Sequence, residues 1–367
     1  MKTVCEIDKC NGCYACISIC PQKCINIKDG IVSINAVIDE SKCIKCNMCK
    51  KVCPNITKVL KKKPLLWKQG WASTNIRHDS TSGGAASEII IKFIEEGGYV
   101  ASCYFEGGQF KFDLINDKED AKKFTGSKYV KSNPEEIYEK IKRRLKTNKV
   151  LFIGLPCQVA GLRNYIKNEE NLYTIDLICH GTPSPILLKR FLMEYGYDIS
   201  TIKNIKFRTK NDMGLSVNGK KLKPYRVADE YICAFLSAID YTNNCYSCQY
   251  ATLERVSDIT LGDSWGTDIA NEASKGISLM LIQTNKGKEL IDKSDLELYE
   301  VNLKNAIDNN HQLQHPSVFT NKGKAFMKSI KKGRSFKLST FLALPKMVLK
   351  QKFKCFLSLI GLIKEEI

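Results

Sequence analysis

Beyond residue 66 the chain alternates between two hydrophobic periods. Ala85 to Glu95 reads as a helix, and Gly98 to Phe105 and Lys111 to Ile115 as strands. Pro134 to Lys146 is a charged amphipathic helix, followed by apolar strands at Val150 to Leu155 and Leu172 to Ile178 and a helix near Ser184 to Tyr195. A late strand, Ile277 to Gln283, precedes a helix beginning at Gly287 to Lys293. Such alternation predicts an α/β core with helices packed on a sheet. The first sixty residues read differently: a short β-like stretch, Cys24 to Ile38, turns at Asp29-Gly30 between two cysteine-rich blocks. Near the C-terminus Leu349, Phe353, Phe356, Leu357 and Ile360 fall on one helical face, with Lys350, Lys352 and Lys354 off it.

The 367 residues suit two or three domains, and 43% apolar content is globular rather than disordered. Seventeen cysteines are the unusual number. Met1 to Cys10 has no apolar core of a secretory signal, so the expectation is a cytoplasmic, reducing setting in which clustered cysteines hold metal rather than form disulfides. No run of apolar residues is long enough to predict a membrane span. The net charge of +18 is concentrated at the ends: residues 1–63 carry +7 and residues 321–367 carry +10, leaving +1 for the middle. A neutral middle without an RNA-binding or zinc-finger signature argues against a nucleic-acid partner.

The two cysteine blocks are Cys10-x2-Cys13-x2-Cys16-x3-Cys20-Pro21 and Cys43-x2-Cys46-x2-Cys49-x3-Cys53-Pro54. Three cysteines at two-residue gaps wrap the chain around one 4Fe–4S cube, and the fourth, held by Pro, points to the other cube, the standard ferredoxin arrangement. Cys10, Cys13, Cys16 and Cys53 are therefore assigned to one cluster, and Cys43, Cys46, Cys49 and Cys20 to the other. Zinc sites use two pairs of ligands, not two such quartets. Cys5 and Cys24 stand outside the quartets and read as small buried hydrophobes. The segment resembles bacterial two-cluster ferredoxins, modules that move single electrons.

Further chemistry is spread along the α/β part. Thr81-Ser82-Gly83-Gly84 precedes the Ala85 helix, where free N–H groups suit a phosphate, although Ser82 as an ordinary N-cap explains it as well. Cys157, in Gly154-Leu155-Pro156-Cys157-Gln158, and Cys179, in Cys179-His180-Gly181, each follow an apolar strand, where ligands gather in open α/β sheets. With the pair Cys245-x2-Cys248 they make one more set of four thiolates, which points to a third cluster. Asp258 to Gly266 ends in Gly262-Asp263 beside Trp265, a cofactor edge or a tight turn. His180 is placed to hydrogen-bond a cluster sulfur, and no general acid or base can be assigned. No two glycines are spaced G-x-G, so the Rossmann fingerprint is absent.

These motifs, together with Gly126-Ser127-Lys128-Tyr129-Val130 and Phe207-Arg208-Thr209-Lys210, give residues 67–310 a resemblance to the beta-subunit family of coenzyme F-420 (deazaflavin) hydrogenases and dehydrogenases. The resemblance implies a bound FAD, a further 4Fe–4S cluster and flavin-mediated redox chemistry. It carries over Cys157, Cys179, Cys245 and Cys248 as ligands of that cluster. Ser82, Gly83, Gly84, Ser127, Lys128 and Tyr129 carry over as flavin contacts. Deazaflavins and nicotinamides give electrons in pairs, clusters take them singly, and a flavin does both.

The expected fold is an α+β ferredoxin-like two-cluster domain (residues 1–62) followed by an α/β flavin- and cluster-binding domain (67–310, in parts 67–147 and 148–310) and a basic helical tail (311–367). The expected function is an iron–sulfur flavoprotein oxidoreductase served by a hydride-carrying coenzyme or a redox partner protein. The rival expectation is a non-catalytic electron-transfer subunit. The tail reads as a membrane-surface or partner-docking helix, or equally as a helix packed on the domain.

Overall fold

The computed structural model describes residues 1–167 and 169–362; residues 363–367 of the expected tail lie outside them. In the N-terminal lobe β1 (Ile25–Asp29) and β2 (Ile34–Ile38) pair antiparallel. Two short helices, Ala15–Ile19 and Met48–Val52, repeat each other. The repeat extends to the backbone: Gly12 and Lys45 take left-handed φ of 64° and 56°, and Tyr14 and Asn47 both 60°. These turns wrap each block around a point, and Gly12 and Lys45 donate their N–H groups to the sulfurs of Cys10 and Cys43 at 3.5 and 3.4 Å.

The larger part is built on an eight-stranded sheet. Its parallel centre is β4 (Tyr99–Glu106), β6 (Val150–Ile153), β7 (Leu172–Leu177) and β11 (Ile259–Asp263), with β5 (Gln109–Ile115) antiparallel at one edge. On the other side β12 (Ser278–Ile282), β3 (Leu66–Trp71) and β13 (Glu297–Tyr299) continue it antiparallel. Three further strands, β8 (Ile205–Arg208), β9 (Met213–Val217) and β10 (Lys220–Lys221), form a small separate sheet. The fold is thus mixed α/β behind a ferredoxin-like lobe, as the hydrophobic periods predict.

The central strands are apolar on both faces because both are covered. On β6, Leu151 and Ile153 pack under the Ala85–Glu95 helix, while Val150 and Phe152 face the helices Ile137–Arg144 and Pro156–Tyr165 and, beyond them, the ferredoxin lobe. That second core is continuous from Val4 and Ala15 of the lobe to Leu162 and Leu172, so the lobe is packed on the sheet. Gly161 lets the lobe come close: a Cβ there would lie 3.0 Å from the sulfur of Cys13.

A third core unites the helices Pro185–Met193 and Glu230–Leu236 with Asn321–Lys331 and Phe336–Ala343. Most of the described tail is therefore not a free appendage. Phe326, Ile330 and Phe336 are fully buried, and this apolar content anchors the segment despite its lysines.

One buried ion pair pins the sheet to the segment that follows Cys248. Arg255 and Asp176 of β7, almost wholly inaccessible, meet at 3.0 Å. Arg255 also donates to the carbonyls of Tyr250 at 2.7 Å and Leu177 at 2.8 Å. Removing the guanidinium leaves a buried, uncompensated carboxylate. Arg255→Leu should therefore cost about 3–5 kcal/mol, read as a lower denaturation midpoint of the anaerobic protein. The double variant with Asp176→Asn should recover part of the loss.

Candidate functional site

The ferredoxin lobe brings its cysteines together in the interleaved pattern. Cys10, Cys13, Cys16 and Cys53 line one small cavity with Cys5. Cys49 lies in electrostatic reach of Cys20 and Cys46, and Cys24 in reach of Cys20 and Cys43. Cys5 and Cys24 are thus more than distant packing: the sulfur of Cys24 is 3.5 Å from that of Cys20, and Cys5 adjoins Cys10 and Cys53. Cys46 is exposed, with Lys45, Lys50 and Lys51 beside it in the chain.

The third set also converges. Cys157 stands at the start of the helix after β6, Cys179 just beyond β7, and Cys245 and Cys248 in and after the 3-10 turn Asn243–Ser247. Burial raises the thiol pKa values of Cys157 and Cys179; Cys157 also feels Cys248 and Cys245, and Cys179 feels Cys245, Cys157 and Cys248. A thiolate in such surroundings needs a compensating cation. Four thiols around a 4Fe–4S cube stand farther apart than the ligands of one ion. Among the described residues no three His, Cys, Asp or Glu side chains converge to single-ion spacing.

Three neighbours of this set are invisible as motifs. Thr182 and Thr242 hydroxyls lie 3.7 and 3.6 Å from the sulfur of Cys245, and Asn244 donates to it at 3.7 Å. His180, expected to bond a cluster sulfur, makes no ring hydrogen bond to a cysteine sulfur among the described residues. Its ring packs on Phe235 and His311, and burial, with His311 adding, pushes its pKa down to about 4. Lys131 is buried between the lobe and the third set, donating to Asn11 O at 3.2 Å and Asn244 Oδ1 at 3.5 Å. Burial alone would lower its pKa, but Cys245, Cys157, Cys10 and Cys179 together raise it.

Next to Cys179 opens a cavity of about 340 Å³, within the range of small-molecule sites. Its wall includes residues 153–155 after β6, 177–182 after β7 and 261–263 of β11, so it lies at the carboxyl ends of parallel strands. Of the residues expected at a flavin, Ser82, Gly84, Ser127, Lys128 and Tyr129 line it. Gly83 does not: it sits behind the wall, where a Cβ would collide with Gly70 O and Ser278 N. Ser82 is not an N-cap either, since its hydroxyl donates to Ile277 O at 3.1 Å. Gly84, at φ 88°, starts the helix without a side-chain cap of its own; the Ala85 N–H donates to Ser278 Oγ at 3.4 Å, and the N–H groups that follow it suit a ligand.

Two cations face this region. Lys128 donates to Phe124 O and Thr125 O at 2.6 and 3.0 Å, and burial lowers its pKa to about 8. Arg208 pairs with Asp263 at 2.9 Å and donates to Ser127 Oγ at 3.3 Å, joining three of the motifs. Tyr129 stacks on Phe235 with centroids 4.3 Å apart, and Trp265 is half exposed at the wall. Asp258, at the other end of β11, instead bonds Arg163 and Thr174 and is structural. Sequence reasoning missed Phe235 and Cys103 in the wall, which sit in no motif.

Residues 147–305 match the family model for the C terminus of the beta subunit of coenzyme F420 hydrogenase/dehydrogenase, and residues 9–57 match that of the 4Fe-4S dicluster domain. The resemblance drawn from the motifs therefore stands on both segments. The chain is 25% identical over 324 residues to a coenzyme F420-dependent sulfite reductase of Methanocaldococcus jannaschii, covering 80% of this chain and 47% of that protein. It thus spans about half that relative's length. An uncharacterized protein of the same organism is 23% identical over 332 residues, covering 78% of this chain and 87% of that one. Among solved structures, a chain of the F420-reducing NiFe hydrogenase complex from Methanosarcina barkeri aligns at TM-score 0.45 and 19% identity, covering 75% of this chain and 96% of that chain.

The interleaving predicts which variants share a phenotype. Cys53→Ser and Cys13→Ser should lose the same signal in EPR of the reduced protein, with about four iron atoms fewer each, and Cys20→Ser the other signal. A Cys53→Ser spectrum matching that of Cys46→Ser would show that each block closes its own cube.

Proposed function

We propose that this chain, an iron–sulfur electron-transfer protein of the coenzyme F420 hydrogenase/dehydrogenase beta-subunit family with a 4Fe-4S dicluster domain in front, exchanges electrons with a hydride carrier through FAD held in the cavity beside Cys179. The carrying observation is continuity. Cys179 belongs both to the cavity wall and to the third thiol set, and that set abuts Cys13 of the lobe across Gly161 and Tyr250. Cavity, third thiol set, first ferredoxin site and second ferredoxin site follow one another, ending at exposed Cys46.

The chain's own groups suit a dinucleotide. The uncapped helix start at Gly84 and the cations Lys128 and Arg208 favour a pyrophosphate, and the stacked pair Tyr129 and Phe235 offers an aromatic surface. FAD, when bound, supplies the change from paired to single electrons. Cys157, Cys179, Cys245 and Cys248 would hold the third cube. Thr182, Thr242 and Asn244 surround the Cys245 sulfur, and such polar neighbours raise a cluster's potential. The name of the sulfite reductase relative makes a deazaflavin the first hydride carrier to test and a nicotinamide the second. A redox partner protein would approach the far end of the line of sites, where the lysines around exposed Cys46 attract an acidic surface.

Anaerobic purification with iron, acid-labile sulfide and flavin analysis tests the reading. Close to twelve iron atoms, three four-iron cubes, and one FAD per chain are expected. Close to eight iron atoms and no flavin would overturn it. Lys128→Met should weaken FAD binding by roughly tenfold. In the unsubstituted protein the affinity should decline as pH rises through about 8, where the ammonium loses its proton.

Lys131 sits where its charge favours the reduced state of neighbouring clusters. Lys131→Met should lower the midpoint potentials of the first ferredoxin cluster and the third cluster by roughly 50–100 mV, the worth of a unit charge several ångströms away at an effective dielectric of about 20. An EPR-monitored titration measures this, and the second ferredoxin cluster serves as the internal control.

A further inference from the structure

The last described helix, Pro345–Leu359, is tied to the body on one side only. Val348 is buried, and Gln351 on the same side accepts the Ala228 N–H at 3.1 Å. The opposite side, at the 3.6-residue period, presents Leu349, Phe353, Phe356 and Ile360, which remain 54, 61, 56 and 52% exposed. Leu359 and Leu362 extend the apolar surface at 76 and 70% exposure. Lys346 and Lys350 border this stripe on one flank and Lys352 on the other, all exposed. The basic character is one-sided: residues 321–362 contain eleven Lys and Arg and no Asp or Glu.

We infer that this face docks on the surface of an anionic lipid bilayer, the helix lying in the plane of the headgroups. Large apolar side chains flanked by lysines meet both layers of such a surface at once: the stripe enters the acyl boundary while the lysine stems carry their charges back to the headgroups. Charge selects this occupant over a second copy of the chain, because an isologous contact would bring two segments of net charge +10 together. No described helix is long and apolar enough to cross a membrane, and a helix with one apolar and one basic side suits a position on the bilayer rather than through it. The neighbouring helices, rooted in the core through Phe326 and Phe336, would transmit that anchorage to the whole chain.

The test is flotation of the full, anaerobically purified chain with vesicles of phosphatidylcholine alone and of phosphatidylcholine with phosphatidylglycerol. Binding should be at least ~10-fold tighter on the anionic vesicles and weaken with salt. Phe353→Ser with Phe356→Ser should cut it ~10-fold or more. The triple variant Lys346→Gln, Lys350→Gln, Lys352→Gln should lose most of the preference for anionic lipid. These side chains are exposed, so cluster absorbance and iron content should stay unchanged and report that the variants are folded. Absence of vesicle binding by the unsubstituted chain, or equal binding by the Phe double variant, overturns the inference. So does self-association, measured by light scattering, that the double variant abolishes while vesicles bind nothing: the stripe would then belong to a second copy.

Discussion

A thiolate taken out of water needs a positive centre beside it, and much of this molecule follows from that requirement. The sulfurs of Cys13, Cys16, Cys157 and Cys179 are all pushed toward the neutral form by burial, so the lobe and sheet between them form a pocketed interior that iron is suited to neutralise. The fit is close. Gly161 admits Cys13 against a helix that carries Cys157 one turn earlier. Lys131 adds a buried cation bonded to Asn11 of the lobe and to Asn244 beside the third set. The ferredoxin lobe therefore shares a core with the α/β part, a geometry that keeps the sites for successive single-electron steps adjacent.

The sheet solves a second problem, that of holding polar ligand-bearing segments at the end of buried strands. β6 and β7 end at Ile153 and Leu177, and the chain leaves each into Cys157 and Cys179. Behind them lie the buried pairs Asp176–Arg255 and Asp258–Arg163, to which Thr260 and Thr174 donate, and these pairs set loop direction although Asp176 Oδ2 and Arg163 Nε have no hydrogen-bond partner. The cavity opens on the same strand ends, where Arg208 and Asp263 tie the β8 hairpin to β11. Cys179 of the third thiol set thus stands in the cavity wall.

The surface divides its charge in a way that complements this interior. The lobe's lysines surround the exposed end of the line of sites near Cys46, and the C-terminal segment gathers the other large excess around a stripe of exposed apolar side chains. The two excesses act through different physics. One is a field around exposed Cys46; the other is a short-range pairing of charge with apolar depth.

Much of this was legible in the chain itself. The spacing of Cys10 to Cys20 and of Cys43 to Cys53 determined the ferredoxin unit because a cube imposes its geometry locally, over a few residues of backbone. The strands at Val150 and Leu172 and the helix at Ala85 followed from hydrophobic period, which burial on both faces enforces. Tertiary structure decided what depends on contacts between distant residues. Cys157, Cys179, Cys245 and Cys248 converge only through the parallel pairing of β6 with β7 and the return of the segment after Cys245 along Arg255. Gly83 belongs to the wall's backing because β3 and β12 pass behind it, and Ser82 is drawn from capping to Ile277 for the same reason. Lys131, Gly161 and Thr182 carry no local signature, since their roles are set by sulfurs many residues away. Local chemistry is written in spacing, whereas the joining of sites depends on packing energies summed over the whole core.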